Sequence, residues 1–238
     1  MSVRFFAHPS AGRAAAVVLL LLASLPGVSG AAPAANGTPP AAASQAAPPI
    51  TPAGPAAADA AAVRAPIEQL DAALIQIMKA GKQAPFQKRV EMLAPAVDRA
   101  FDLPQILRVS VGPAWSGISA AEQTSLFDAF RRYTIASYVD NFDGYDGEKF
   151  VVTPAPRVLA GGQQVVLTRI VSRSGETHQL DYVMRQTAAG WKVVDVLADG
   201  SISRVAVQRA DFRHLLDQGG ARALQASLEK KASALSGG

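Results

Sequence analysis

Few side chains in this 238-residue sequence are suited to chemistry. Asp181 and Asp195 stand on two runs, residues 180–186 and 191–197, that read as paired strands, so their carboxylates fall close together. Two neighbouring carboxylates can divide acid and base roles when their surroundings push their pKa values apart. Acids on a one-sided sheet more commonly face water, and Arg169 and Arg185 are placed to pair with them across the strands. The outward-facing reading is adopted. His178 sits in a polar run at a strand start and His214 in the last turns of a helix, both as solvated side chains. His8 lies in a segment expected to be removed. The sequence contains no His-Glu-x-x-His run and no glycine-rich phosphate loop. Cysteine is absent, which excludes disulfides, thiolate metal sites, a cysteine nucleophile and a cysteine-borne lipid anchor. These residues point to no enzyme, no metal and no cofactor.

The elements that would position the acids form a hairpin. A loop over residues 187–190, with Gly190, joins the two runs. Asp199-Gly200-Ser201 then turns the chain. Gly200 supplies a positive φ, Ser201 is placed to cap, and a helical pattern starts at Ile202. The hairpin therefore delivers the chain into a helix that packs beside its sheet. It resembles the floor and one wall of a container.

The N-terminus has a different character. Residues 1–30 read as a secretory signal. Arg4 and Arg13 form the positive region, residues 14–25 the apolar one, and residues 26–30 end in small side chains. The apolar run is shorter than the ~20 residues that span a bilayer. Residues 31–62 are almost wholly Ala and Pro, which predicts an extended tether. The remaining span, residues 63–238, is one domain. The formal charge is +4, and removing Arg4 and Arg13 leaves about +2, too weak and scattered for nucleic acid.

Within the domain the spacing predicts a helix starting near Arg64, with Pro66 in its first turn and apolar residues at 67, 70, 74, 77 and 78. A second helix follows Pro85 and is kinked or split at Pro95. A short third helix covers residues 103–111 and ends at Gly112-Pro113, with Trp115 just beyond. Ser119-Ala-Ala-Glu122 is a capping box that opens a fourth helix to about Asp140, rich in aromatics. A first strand then covers residues 148–153, with 157–160 as its extension, and a second covers residues 163–173, ahead of the hairpin. The C-terminal helix is broken at Gly219-Gly220. Helices on both sides of an antiparallel block of about four strands indicate α+β architecture.

An ordered set of residues carries a resemblance. Val194-Asp195-Val196, Asp199-Gly200-Ser201, Val207-Gln208-Arg209, Phe212, Leu216, Gly219, Leu224 and Leu228 resemble the C-terminal signature of the MlaC, or toluene-tolerance, family. Phe101-Asp102, Val111-Gly112, Trp115, Phe127, Phe130, Tyr138 and Gly147 resemble its middle section. Two runs depart from the family. A Glu-Gly-Val-Ser-like turn reads Asp199-Gly200-Ser201-Ile202 here, and an Asn-Tyr-Arg-like run reads Val207-Gln208-Arg209. With the Ala/Pro tether, these departures are similar to the hopanoid-associated HpnM branch.

The resemblance implies a periplasmic lipid carrier whose strongly curved sheet and helices enclose an apolar cavity. The implied ligand is a phospholipid or a hopanoid. The implied partners are an inner-membrane ABC/MCE-type transporter and an outer-membrane lipid complex. A bare acyl chain costs ~0.8 kcal/mol per methylene in water, so two tails cost on the order of 20 kcal/mol, which the carrier must offset. The residues placed on the cavity wall are Val97, Leu107, Val111, Trp115, Phe127, Phe130, Tyr138, Val166, Ile170, Leu180, Tyr182, Met184, Val194 and Val196. By strand alternation Tyr182 and Met184 share a face with Leu180. Two other readings stay open. One is an adaptor in which these residues fill a solid core; the other is an enzyme using Asp181 or Asp195 in the pocket.

Overall fold

The computed structural model describes residues 55–237. The expected signal and residues 31–54 of the expected tether lie outside the described residues. The first helix, α1 (Pro55–Ala80), begins earlier than the periodicity suggested, so residues 55–62 are helical and Pro66 lies inside it. Val63, Ile67, Leu70, Leu74 and Ile77 are wholly buried along it. Helix α2 (Phe86–Ala100) follows Pro85 and runs unbroken through Pro95. Asp102 caps α3 (Leu103–Val111) by accepting from Gln105 N at 3.2 Å. Gly112, at φ 70°, ends α3 and starts a 3-10 stretch, Gly112–Gly117, that carries Trp115. Helix α4 (Ala120–Asn141) opens with the expected capping box: Ser119 and Glu122 exchange backbone and side-chain bonds, each 3.4 Å long.

Seven antiparallel strands follow: β1 (Lys149–Val152), β2 (Arg157–Val158), β3 (Gln164–Val166), β4 (Thr168–Val171), β5 (Thr177–Thr187), β6 (Gly190–Ala198) and β7 (Ile202–Ser203). On one side β5 pairs with β4 along its first half and β3 along its second; on the other it pairs with β6 throughout. The sheet is strongly curled, with helices packed against it in an α+β half-barrel. The strand number exceeds the expected four for a physical reason. The run 163–173 is interrupted at Leu167, where Thr168 N turns from the ladder to Asp181 Oδ1 at 3.2 Å and Thr168 Oγ1 donates to Leu180 O.

The final helix, α5 (Arg204–Leu235), is kinked at Gly219 and Gly220. Its cap is Ser203, which accepts from Ala206 N at 3.0 Å, not Ser201, because Ile202 and Ser203 first pair with β6. Asp199 and Gly200 make the preceding turn at φ 50° and 72°. Helices α4 and α5 pack along each other. Helix α3 rests on α5, and α1 packs on α2 while reaching β1, β3 and β6. Phe101, between α2 and α3, bridges to Val193 of β6.

Candidate functional site

The curled sheet and helices α3, α4 and α5 leave a cavity of about 120 Å³ between them. Helix α4 contributes Phe130, Tyr133 and Tyr138, and Phe142 follows it. Helix α3 contributes Leu103 and Ile106, and the sheet contributes Ile170, Leu180, Val196 and Ala198. Phe101 closes the corner. The rings touch in series: Tyr182 to Phe101 at 6.4 Å, Phe101 to Tyr138 at 5.8 Å, Tyr138 stacked on Phe142 at 6.1 Å, and Phe142 to Phe150 at 5.9 Å. Aromatic contacts of this kind add ~0.5–1.5 kcal/mol each beyond burial, which gives the wall rigidity. Burial pushes the phenols of Tyr138 and Tyr182 well above their ordinary pKa, so both stay neutral.

Asn141 at the end of α4, with Arg204 and Gln208 in the first turns of α5, lines the cavity together with Asp195. Thr134 and Ser137 also line it, but their hydroxyls donate to the carbonyls of Phe130 and Tyr133 in the preceding turn, at 2.9 and 2.8 Å. Burial lowers the pKa of Arg204, partly offset by Tyr133, Tyr138, Asp211 and Asp195.

The two acids singled out in the sequence are structural. Asp181 is buried rather than outward-facing, and it accepts from Thr168 N and, at 2.7 Å, from Gln179 Nε2. Arg185 pairs with Asp102 at 2.8 Å instead, and Arg169 is exposed. Asp195 accepts from Val196 N at 2.7 Å, Val205 N at 3.1 Å and Ser203 Oγ, which fixes the junction between β6 and α5. A third acid went unnoticed. Asp71 of α1 is 5% exposed, and neither carboxylate oxygen has a hydrogen-bond partner. Burial, with the charge of Glu68, raises its pKa to about 7. Among the described residues no cluster of His, Cys, Asp or Glu could hold a metal.

Of the residues placed on the wall by sequence, Phe130, Tyr138, Ile170, Leu180 and Val196 line the cavity. Val97, Leu107, Val166, Tyr182 and Met184 are packed into the surrounding core. Val111 sits on a separate surface groove with Pro113, Arg209 and Arg213. Trp115 and Phe127 are half-buried against the core. Val194 is half-buried and Val193 is wholly buried. A bulge between Val183 and Met184 shifts the register of β6 so that Val194 has no partner. Sequence reasoning missed Phe101, Leu103, Ile106, Arg204 and Gln208. The one signal for the last two was their spacing of a single turn beside Val205.

The fold is a curled sheet closed by helices over an aromatic-walled void, with Asp181 and Asp195 engaged in holding backbone. The family model described as MlaC protein matches residues 68–230, and the chain belongs to that family. Its fold is similar to that of a phospholipid-binding protein from Ralstonia solanacearum, solved in complex with a phospholipid. The TM-score is 0.63 at 20% identity, covering 73% of this chain and 98% of that one. No curated protein sequence matches the chain.

Proposed function

We propose that this protein is a periplasmic lipid carrier that holds lipid tails in the cavity between sheet and helices and shuttles them between membranes for an ABC-type transport system. The observation that carries the reading is the cavity: a wall that is mostly aromatic and aliphatic, with few polar groups. Membership of the MlaC family, whose members are periplasmic, and the phospholipid-bound neighbour support lipid binding in general. No described helix is long and apolar enough to cross a membrane. Residues 1–30 as a cleaved signal and residues 31–54 as a tether to the domain complete the proposal. The ligand is a phospholipid or, on the resemblance to the HpnM branch, a hopanoid.

The cavity is smaller than the ~300–1,000 Å³ of typical ligand pockets. It therefore represents the closed state, and tail entry requires the helices to part from the sheet. The test is native mass spectrometry of protein purified from periplasm. Co-purifying lipid, lost on delipidation and regained from vesicles, is the expected result. Protein that emerges lipid-free and takes up none from vesicles is a solid-core adaptor instead.

A further inference from the structure

Outside the cavity, the end of α3, the 3-10 stretch after it and the middle of α5 enclose a surface groove of about 350 Å³. Val111, Pro113, Ala114 and Leu216 supply an apolar floor, and Arg209 and Arg213 stand beside it. Val111 is buried and Leu216 half-buried, whereas both arginines are exposed. The guanidinium of Arg209 lies over Gly112, where an added Cβ would meet its Nε, Nη2 and Cζ at 3.3, 3.4 and 3.5 Å. Neither arginine has an ion pair or hydrogen bond among the described residues. The ion pairs that α5 does make use Arg222 and Glu229. Like charges one turn apart on a helix repel, and no acid pairs with these two. Asp217 lines the groove one turn past Arg213 without bonding to it, and Asp211 lies round the helix, in the field of Arg204.

An apolar floor beside two unpaired cations fits a ligand of opposite charge with an apolar group of its own. One turn of α5 sets the two arginine stems about 6 Å apart along the helix. A peptide matches that spacing with carboxylates at i and i+2 when extended, or at i and i+4 when helical. A membrane surface is flat on this scale and would reach the arginines without filling the floor. We propose that the groove docks an acidic peptide segment of a partner protein, with two carboxylates on Arg209 and Arg213 and an apolar side chain against Pro113, Ala114 and Leu216. Exposed ion pairs are weak and screened by salt, so charge decides which segment binds, while burial of the apolar side chain supplies most of the affinity. The site needs no lipid and so goes beyond the carrier reading. Its floor is nonetheless built on the end of α3, the helix that borders the cavity through Leu103 and Ile106.

The protein purified from periplasm is panned against a displayed library of random peptides, and selected peptides are synthesised and measured by fluorescence anisotropy. The expected selection is enriched in pairs of Asp or Glu at these spacings beside a large apolar residue. Replacing both carboxylates by amides should weaken a selected peptide by about tenfold or more, roughly the worth of a charge-assisted bond. Arg209→Glu combined with Arg213→Glu should weaken it at least as much, at an unchanged Tm because both side chains are exposed. Ala114→Trp, which fills the groove and touches neither charge, should also remove binding. Selected peptides without acids overturn the site, as do acidic peptides that bind either variant as tightly as the parent, and so does a library that yields no binder. Flotation with phosphatidylglycerol vesicles that depends on Arg209 and Arg213, in a protein that selects no acidic peptide, makes the face a membrane contact and overturns the site too. Each of these failures leaves lipid uptake into the cavity, and with it the carrier reading, untouched.

Discussion

Ser110 of α3 donates to Gln208 of α5 across 3.3 Å, tying the C-terminal half of a short helix to a residue that lines the cavity. The other end of α3 is held to the sheet. Asp102 N donates to Val193 O at 2.9 Å, and Arg185 reaches the Asp102 carboxylate at 2.8 Å. Helix α3 is therefore anchored at its start and held near its finish by one weak polar link and apolar packing. Gly112 adjoins that finish, in the left-handed region of φ, where an added Cβ would lie 3.3 Å from Arg209 Nε.

On the carrier reading, that asymmetry makes residues 103–115 the wall expected to move. Apolar contacts between α3 and the cavity can be replaced by lipid tails, whereas the hydrogen-bond ladder of β5 and β6 cannot. Amide exchange over residues 103–115 should slow on lipid loading by more than it does in β5 and β6. Ser110→Ala should speed lipid exchange several-fold, because a link of this type contributes about 0.5–1.5 kcal/mol. Equal protection of the segment in loaded and stripped protein would rule out the gate.

Filling the void separates carrying from folding. Ala198 lines the cavity at 3% exposure, and Ala198→Phe would place a ring where tails must go. Lipid occupancy should fall to background while Tm stays within a few degrees of the parent, since the added side chain occupies empty space rather than displacing packed atoms. Full occupancy in this variant would mean that the tails lie elsewhere. Met184→Arg behaves differently. Met184 is wholly buried in packed core outside the cavity, so an arginine there should destabilise the fold by several kcal/mol instead of emptying it selectively.

Asp195→Ala distinguishes a structural acid from a catalytic one. The change removes the acceptor for Ser203 Oγ and Val205 N at the start of α5. Loss of a cap of this kind costs about 0.5–2 kcal/mol. Urea unfolding should register that loss, and lipid uptake per folded molecule should fall only modestly. A variant with parental stability would show that the carboxylate does not hold the junction.

The parts of the fold that were legible in the sequence are those fixed by local chemistry. Gly190 and the alternation around it located the hairpin, Ser119 and Glu122 located the start of α4, and Gly112-Pro113 located the end of α3. Features set by tertiary context were not legible. Residues 55–62 read as tether because Ala and Pro composition cannot show that a helix continues into it. The bulge at Val194 has no period of its own, so simple alternation chose Val194 over Val193. Asp181 was expected outside because alternation cannot foresee a broken strand whose Thr168 N needs a carboxylate. Arg204 and Gln208 were not singled out as lining residues, because helical spacing does not reveal which turn meets a cavity.

Asp71 should make the protein less stable as pH rises. Its carboxyl is enclosed in α1 without a hydrogen-bond partner, and its pKa is about 7, against 3.8 for the free group. A raised folded-state pKa means that the native state holds the proton more tightly than the unfolded chain does. The contribution is therefore fully present below about pH 4, is lost progressively as pH rises, and is gone above about pH 7. A shift of this size corresponds to about 4 kcal/mol, to order of magnitude. Urea unfolding at pH 5 and pH 8 should show the lower stability at pH 8. Asp71→Leu, flanked by buried Leu70 and Leu74, should be more stable at pH 8 and lose most of the difference. If the variant keeps the parental pH dependence, the titrating group lies elsewhere. The same ionisation would place a charge near Tyr138, on the cavity wall. Lipid retention in the parent should accordingly weaken between pH 6 and pH 8, and in Asp71→Leu it should stay flat.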